Sequence, residues 1–169
     1  MTIKTSGIDH IHFNVRNIKR FLEIIEQLFG PDITPINQMP YLGFYNASVM
    51  FDPTNAAQAF LDVFQPADDK GFVGNYIRNY GQGVSFVSFR VDDLEGAAAH
   101  AAKCGLREIS RDGYRGMKQV QFDTIDELGF YLEFVSYEPG FHAELEEIKK
   151  RLSKGETVDG LSYVDPKSI

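Results

Sequence analysis

One cysteine, Cys104, is all that the 169-residue chain carries, so an intrachain disulfide is excluded. Cys104 follows an Ala-rich helical stretch and reads as a small buried residue rather than a nucleophile. Basic residues are few: 17 Lys and Arg against 24 Asp and Glu, a net charge of −7. Binding along a nucleic-acid backbone needs clustered cations. Here the longest basic run is KKR at 149–151, inside an acidic helical stretch, and nucleic acid is excluded as a partner. No apolar run approaches the length of a membrane span. The opening MTIKTSGIDH has no apolar h-region, so no secretory signal is read and a cytoplasmic location is expected. There is no Walker loop and no GxGxxG. Ser85 and Ser88 lack the context of a nucleophile elbow, which argues against serine hydrolase chemistry.

What the chain does have is one pattern written twice. Residues 8–15 (IDHIHFNV) read as a strand; Asn17 can cap a helix, Ile18, Phe21, Leu22, Ile25, Leu28 and Phe29 recur at helical spacing, and Gly30 ends it. Strand-like segments follow near 32–37, 41–51 and 59–65. The second half opens with GVSFVSFRV at 83–91. Asp92 or Asp93 can cap a helix with the stripe Leu94, Ala97, Ala98 and Ala101, and Gly105 ends it. Strands near 106–111, 117–123 and 129–136 complete this half. Laid over each other, the halves place His10 on Phe86, His12 on Ser88, Asn14 on Arg90 and Asp62 on Glu133.

Each half makes a sheet with one helix on its outer face and cannot cover its other face alone. The expected fold is therefore α+β: two tandem βαβββ modules, 1–75 and 83–137, forming an eight-stranded curved cleft, with 76–82 as a linker. Residues 138–169 add a C-terminal helix and tail. In that helix Leu145, Ile148 and Leu152 share one side, available to the core or to a second subunit; the last stretch, GETVDGLSYVDPKSI, is expected to be loosely ordered.

His10 and His12 are two apart on a strand, so both point to one face. Glu133 sits in the apolar GFYLEFVS, where a free carboxylate is costly without a role or a partner. Arg90 shares the inward parity and either holds an anionic substrate group or pairs with a carboxylate. Ser88 joins it as a candidate substrate contact. The inward aromatics Phe60, Phe64, Phe86 and Tyr131 make the cleft apolar and favour a substrate with a hydrophobic or aromatic body. GYRGMK at 113–118 reads as a turn or a rim loop.

Together IDHIHFNV, FRVDDLEGAAAHAAKCG and YLEFV resemble the vicinal oxygen chelate superfamily, whose members include glyoxalase I, methylmalonyl-CoA epimerase and extradiol dioxygenases. The resemblance spans about 7–137. It implies metal ligands on the first and last strands of each half, which here are His10, Asp62, Phe86 and Glu133. Three of these can bind Mn²⁺, Fe²⁺, Co²⁺, Zn²⁺ or Mg²⁺; Phe86 cannot. His12, one pleat from His10, serves more readily as an acid or base than as a ligand. The function expected is a glyoxalase-like isomerase, epimerase or lyase, moving a proton next to an oxygen function of a partly apolar metabolite, with Glu133 and His12 as catalytic residues. The alternatives are an extradiol-type ring-cleaving dioxygenase, against which Phe86 counts, and a metal-free protein that sequesters a hydrophobic ligand. The resemblance also implies a homodimer.

Overall fold

Asn17 separates the first strand from the first helix by accepting a hydrogen bond from the Arg20 backbone N–H. The computed structural model describes residues 2–55 and 58–169. Strand β1 (Gly7–Asn14) leads through this cap into helix α1 (Ile18–Phe29), which ends at Gly30 in the left-handed region. Strands β2 (Asp32–Ile33), β3 (Asn37–Met39), β4 (Phe44–Met50) and β5 (Phe60–Pro66) complete the first half. Helix α2 (Phe72–Tyr80) connects it to β6 (Gly83–Arg90), helix α3 (Leu94–Lys103), β7 (Arg107–Tyr114), β8 (Met117–Asp123), the short α4 (Ile125–Leu128) and β9 (Tyr131–Tyr137). Helix α5 (Phe141–Ser153) and β10 (Ser162–Tyr163) follow.

The strands form one curved sheet in the order β10-β3-β4-β5-β1-β6-β9-β8-β7, with β2 on β4. The two halves join where β1 runs antiparallel to β6, and each opening strand pairs in parallel with the last strand of its own half: β1 with β5, β6 with β9. Helices α1 and α3 lie on one face. Ile18 and Leu22 of α1 pack on Ala47, Val49 and Val63, while Leu94, Ala97 and Ala101 of α3 pack on Val120, Phe122 and Phe134. Burial of each larger aliphatic or aromatic side chain contributes roughly 1.5–3 kcal/mol. Strand alternation sends the other set of side chains, including His10, His12, Phe60 and Asp62, to the opposite face, the floor of a cleft.

Three expectations change. The 76–82 segment, read as a linker, is mostly helix: Val73, Tyr76 and Ile77 of α2 pack on Phe64 and Tyr131. The C-terminal stretch is tied down. β10 pairs with the open edge of β3, and Val158 and Leu161 are buried against Ile148 and Leu152 of α5. Ile148 and Leu152 of α5 are thus met within the chain. Cys104 is exposed, because α3 stops at Lys103 and the next residue turns outward at its cap. No helix among the described residues is long and apolar enough to cross a membrane.

Candidate active site

At the seam of the two halves β1 and β6 read alike in either direction. Gly7 pairs with Arg90 as Asn14 pairs with Gly83; Ile8 pairs with Phe89 as Val84 pairs with Phe13; His10 pairs with Ser88 as Phe86 pairs with His12. Each strand carries one extra residue, Asp9 between Ile8 and His10 and Ser85 between Val84 and Phe86. These are β-bulges, which turn an otherwise outward side chain inward.

The two histidine rings lean toward each other. Strand rise alone would separate their attachment points by about 6.5–7 Å. Their ring centres lie 4.6 Å apart and their Nε2 atoms 2.7 Å apart, so one ring donates and the other accepts. The His10 ring stacks on Phe60 and the His12 ring on Phe64. Beneath them lies Glu133, with no accessible surface. Its Oε1 accepts from Ser88 Oγ and stands 3.4 Å from His10 Nε2 and 3.7 Å from His12 Nε2; its Oε2 accepts from Gln121 Nε2 at 2.7 Å. The other nitrogen of His10, Nδ1, lies 2.8 Å from Asp9 Oδ1. Asp9 also accepts from Tyr137 OH at 2.7 Å and from Arg90 at 2.6 Å.

Burial favours neutral forms throughout this network, yet the pairings overcome it. For His10, burial lowers the pKa, but Asp9 and Glu133 on either side push it up to about 10. Burial raises the Glu133 carboxyl, and hydrogen bonds from His10 and His12 reverse that, holding it well below the usual carboxylate range. Asp9 is likewise held low against its burial by His10, Tyr137 and Arg90. Burial and the Asp9 charge keep the Tyr137 phenol well above its usual range.

Asp62 stands apart from this group. On β5 it is the register partner of His12, and its Oδ1 accepts from Asn46 Nδ2 at 2.8 Å and Ser48 Oγ at 2.9 Å. It lines the cleft, and both of these hydrogen bonds fall on one of its oxygens, Oδ1. The cleft has a volume of about 1280 Å³, with His12, Phe60, Phe64, Phe86 and Arg90 on its wall. Phe86 takes the position equivalent to His10 and packs 5.3 Å from His12, ring centre to ring centre. Ser88 and Glu133 lie behind the wall, and Tyr131 sits in the aromatic cluster under α2. Arg115, at the 113–118 turn, is paired with Glu144 and Asp159 at the surface.

Sequence reasoning missed Asp9, Gln121 and Tyr137. The motif IDHIH held the signal for Asp9, but strand parity assigns that residue to the wrong face unless the bulge is known. Gln121 and Tyr137 carry no signal of their own and are brought in by pairing of β8 with β9 and by the end of β9.

His10, His12 and Glu133 offer one ligand atom each, all within 4.8 Å of one another. Two imidazole nitrogens and a carboxylate oxygen are a donor set that fits Mn²⁺, Fe²⁺, Co²⁺ or Zn²⁺. Asp62 is not in this group, which draws both of its imidazoles from one strand.

The family model of the Glyoxalase/Bleomycin resistance protein/Dioxygenase superfamily matches residues 9–123. Methylmalonyl-CoA epimerase from Mycobacterium tuberculosis superposes with a TM-score of 0.69 at 19% identity, over 85% of this chain and 95% of that one. A variant of the Streptomyces coelicolor methylmalonyl-CoA epimerase, in complex with 2-nitronate-propionyl-CoA, superposes with a TM-score of 0.67 at 21% identity, over 79% of this chain and 99% of that one. A hypothetical protein from Bacillus halodurans does so with 0.66 at 18% identity, over 78% and 94%. These likenesses establish a shared fold.

Proposed function

The chain belongs to the glyoxalase/bleomycin resistance protein/dioxygenase superfamily, and from that premise we propose that it is a small-molecule isomerase or epimerase, or a lyase working by the same first step. It moves a proton on carbon next to an oxygen function. The observation that carries this reading is the convergence of His10, His12 and buried Glu133 beside a cleft carboxylate, Asp62, that does not belong to their group.

His10, His12 and Glu133 would hold a divalent cation, with Ser88 and Gln121 fixing the carboxylate and Asp9 fixing His10. A cation bound there supplies Lewis-acid polarisation of a carbonyl or enol oxygen, which acidifies the neighbouring C–H. We assign the proton transfer to Asp62 rather than to Glu133, whose two oxygens are engaged behind the wall. Asn46 and Ser48 hold one oxygen of Asp62 in place, which leaves the other to accept the substrate proton and return it. Return to the same carbon epimerises, return to a neighbouring one isomerises, and departure of a neighbouring group eliminates.

The test is deuterium incorporation from heavy water into a panel of ketones. Asp62→Asn should lower exchange by about 10²–10⁴-fold with an unchanged melting temperature. Exchange at the wild-type rate would remove Asp62 from this role.

A second reading is favoured by one observation. Two imidazoles and one carboxylate are also the ligand set of oxygen-activating ferrous enzymes, and His12 supplies the imidazole that Phe86 does not. Anaerobic loading with Fe²⁺, followed by oxygen and catechol, would give stoichiometric oxygen uptake under this reading and none under the first.

A further inference from the structure

The bulge residues Asp9 and Ser85 occupy equivalent positions in the two halves, and so do Arg90 and Asn14. Asp9 and Arg90 are in direct contact, and Tyr137 and His10 satisfy what remains of the Asp9 carboxylate. The other pair is different. Asn14 is 1% exposed and Ser85 is 0% exposed, and both line the cleft. Neither Asn14 Nδ2 nor Ser85 Oγ has a hydrogen-bond partner among the described residues. Buried polar atoms are rarely left so, because desolvation without a partner is costly. Asn14 is two residues from His12 on the same strand face, so their attachment points lie about 6.5–7 Å apart along the floor.

We propose that Asn14 and Ser85 form a recognition pair for a neutral oxygen function, a carbonyl or hydroxyl, on an uncharged substrate with an aromatic body. This rests on the reading of the cleft as the active site and names the chemical class it takes. The amide N–H and the hydroxyl are uncharged donors, suited to a neutral acceptor. Phe64, Phe72, Val73 and Phe86 line the same cleft and provide an aromatic surface for a ring system.

The charges of the wall argue the same way. Among the described residues that line the cleft, the Lys and Arg side chains are Arg90 and Lys149. Arg90 is paired with Asp9, and Lys149 with Glu146 at 2.6 Å. Asp52, Asp62 and Asp112 add negative charge to the wall. A nucleotide thioester carries several phosphate charges and would enter against this field. The substrate class therefore differs from the acyl-CoA ligand bound by the Streptomyces coelicolor enzyme.

Calorimetric titration of the full chain with α-tetralone, naphthoate and propionyl-CoA tests this. α-Tetralone should bind, with the two anions at least about tenfold weaker. Asn14→Leu and Ser85→Ala should each weaken α-tetralone by about tenfold. Their melting temperatures should hold or rise, because each substitution removes an unpartnered buried polar atom. Propionyl-CoA binding as tightly as α-tetralone, no binding of α-tetralone, or wild-type affinity in both variants would overturn the proposal. So would a fall in melting temperature in both variants, which would make the pair structural. Deuterium exchange in Asp62→Asn is read separately. Loss of ligand discrimination with exchange intact refutes the substrate class alone, whereas selective binding without exchange refutes the reaction.

Discussion

Around His10 the floor of the cleft is saturated with charge; around Phe86, its equivalent in the other half, it is neutral and aromatic. The backbone is the same in both places: one antiparallel seam, one bulge before each central residue and one parallel partner strand. Duplication thus reproduced the geometry, while side-chain replacement divided the work. One place on the seam gathers His10, His12 and Glu133 with Asp9, Ser88 and Gln121 around them, and the equivalent place keeps Asn14 and Ser85 next to aromatic rings; each draws on both halves. The same contrast holds between Glu133 and Asp62, which end equivalent strands. Glu133 is buried and doubly held, whereas Asp62 lines the cleft with one oxygen held.

The contrast can be broken most strongly at that last pair. Glu133→Ala takes from the buried His10 charge one of the two carboxylates that flank it and should destabilise the fold by about 3–5 kcal/mol in denaturant titration. Asp62→Ala, at a half-buried position with neutral partners, should cost far less. Equal losses would show that the two carboxylates are not divided in this way. Next in size is Arg90→Met, which takes from buried Asp9 a charged hydrogen-bond partner and should cost roughly 1.5–3 kcal/mol. Asn14→Leu, at the equivalent position, should cost nothing by the same measurement. A pH dependence sharpens the same contrast at His10 and Glu133. His10 is raised in the folded chain from 6.5 to about 10, so its contribution is complete below pH 6.5 and is lost as pH rises toward 10. Glu133 is lowered from 4.5, so its contribution is present above pH 4.5 and is lost as pH falls further. Unfolding in chelator should therefore show a stability plateau between these values and a decline on the alkaline side. Glu133→Ala should flatten that decline, since it removes one of the carboxylates that raise His10.

Much of this was legible from residues alone. The caps Asn17 and Asp93, the stripes of α1 and α3 and the repeated strand pattern all act over a few residues, so periodicity reports them. Inward placement of His10, His12, Asp62 and Glu133 follows from strand parity. The departures have a common cause in long-range pairing. A two-residue strand such as β10 has no period, and it forms because β3 offers an open edge. Helix α2 is short and is held by the aromatic cluster beneath it. A bulge is a mismatch between two strands far apart in the chain, so neither strand alone reveals it. Parity alone therefore places Asp9 and Ser85 on the outward face.

The amino-acid order by itself determined the duplicated α+β architecture, the net negative charge, and the inward placement of His10, His12, Asp62 and Glu133, because all of these depend on local period and composition. Only the tertiary structure decided that His12 rather than Asp62 joins His10 and Glu133, that Asp9 backs His10, and that Asn14 and Ser85 stand without partners. Those choices turn on register and bulges between strands separated by more than seventy residues, and a shift of one position there moves a side chain from solvent into the site.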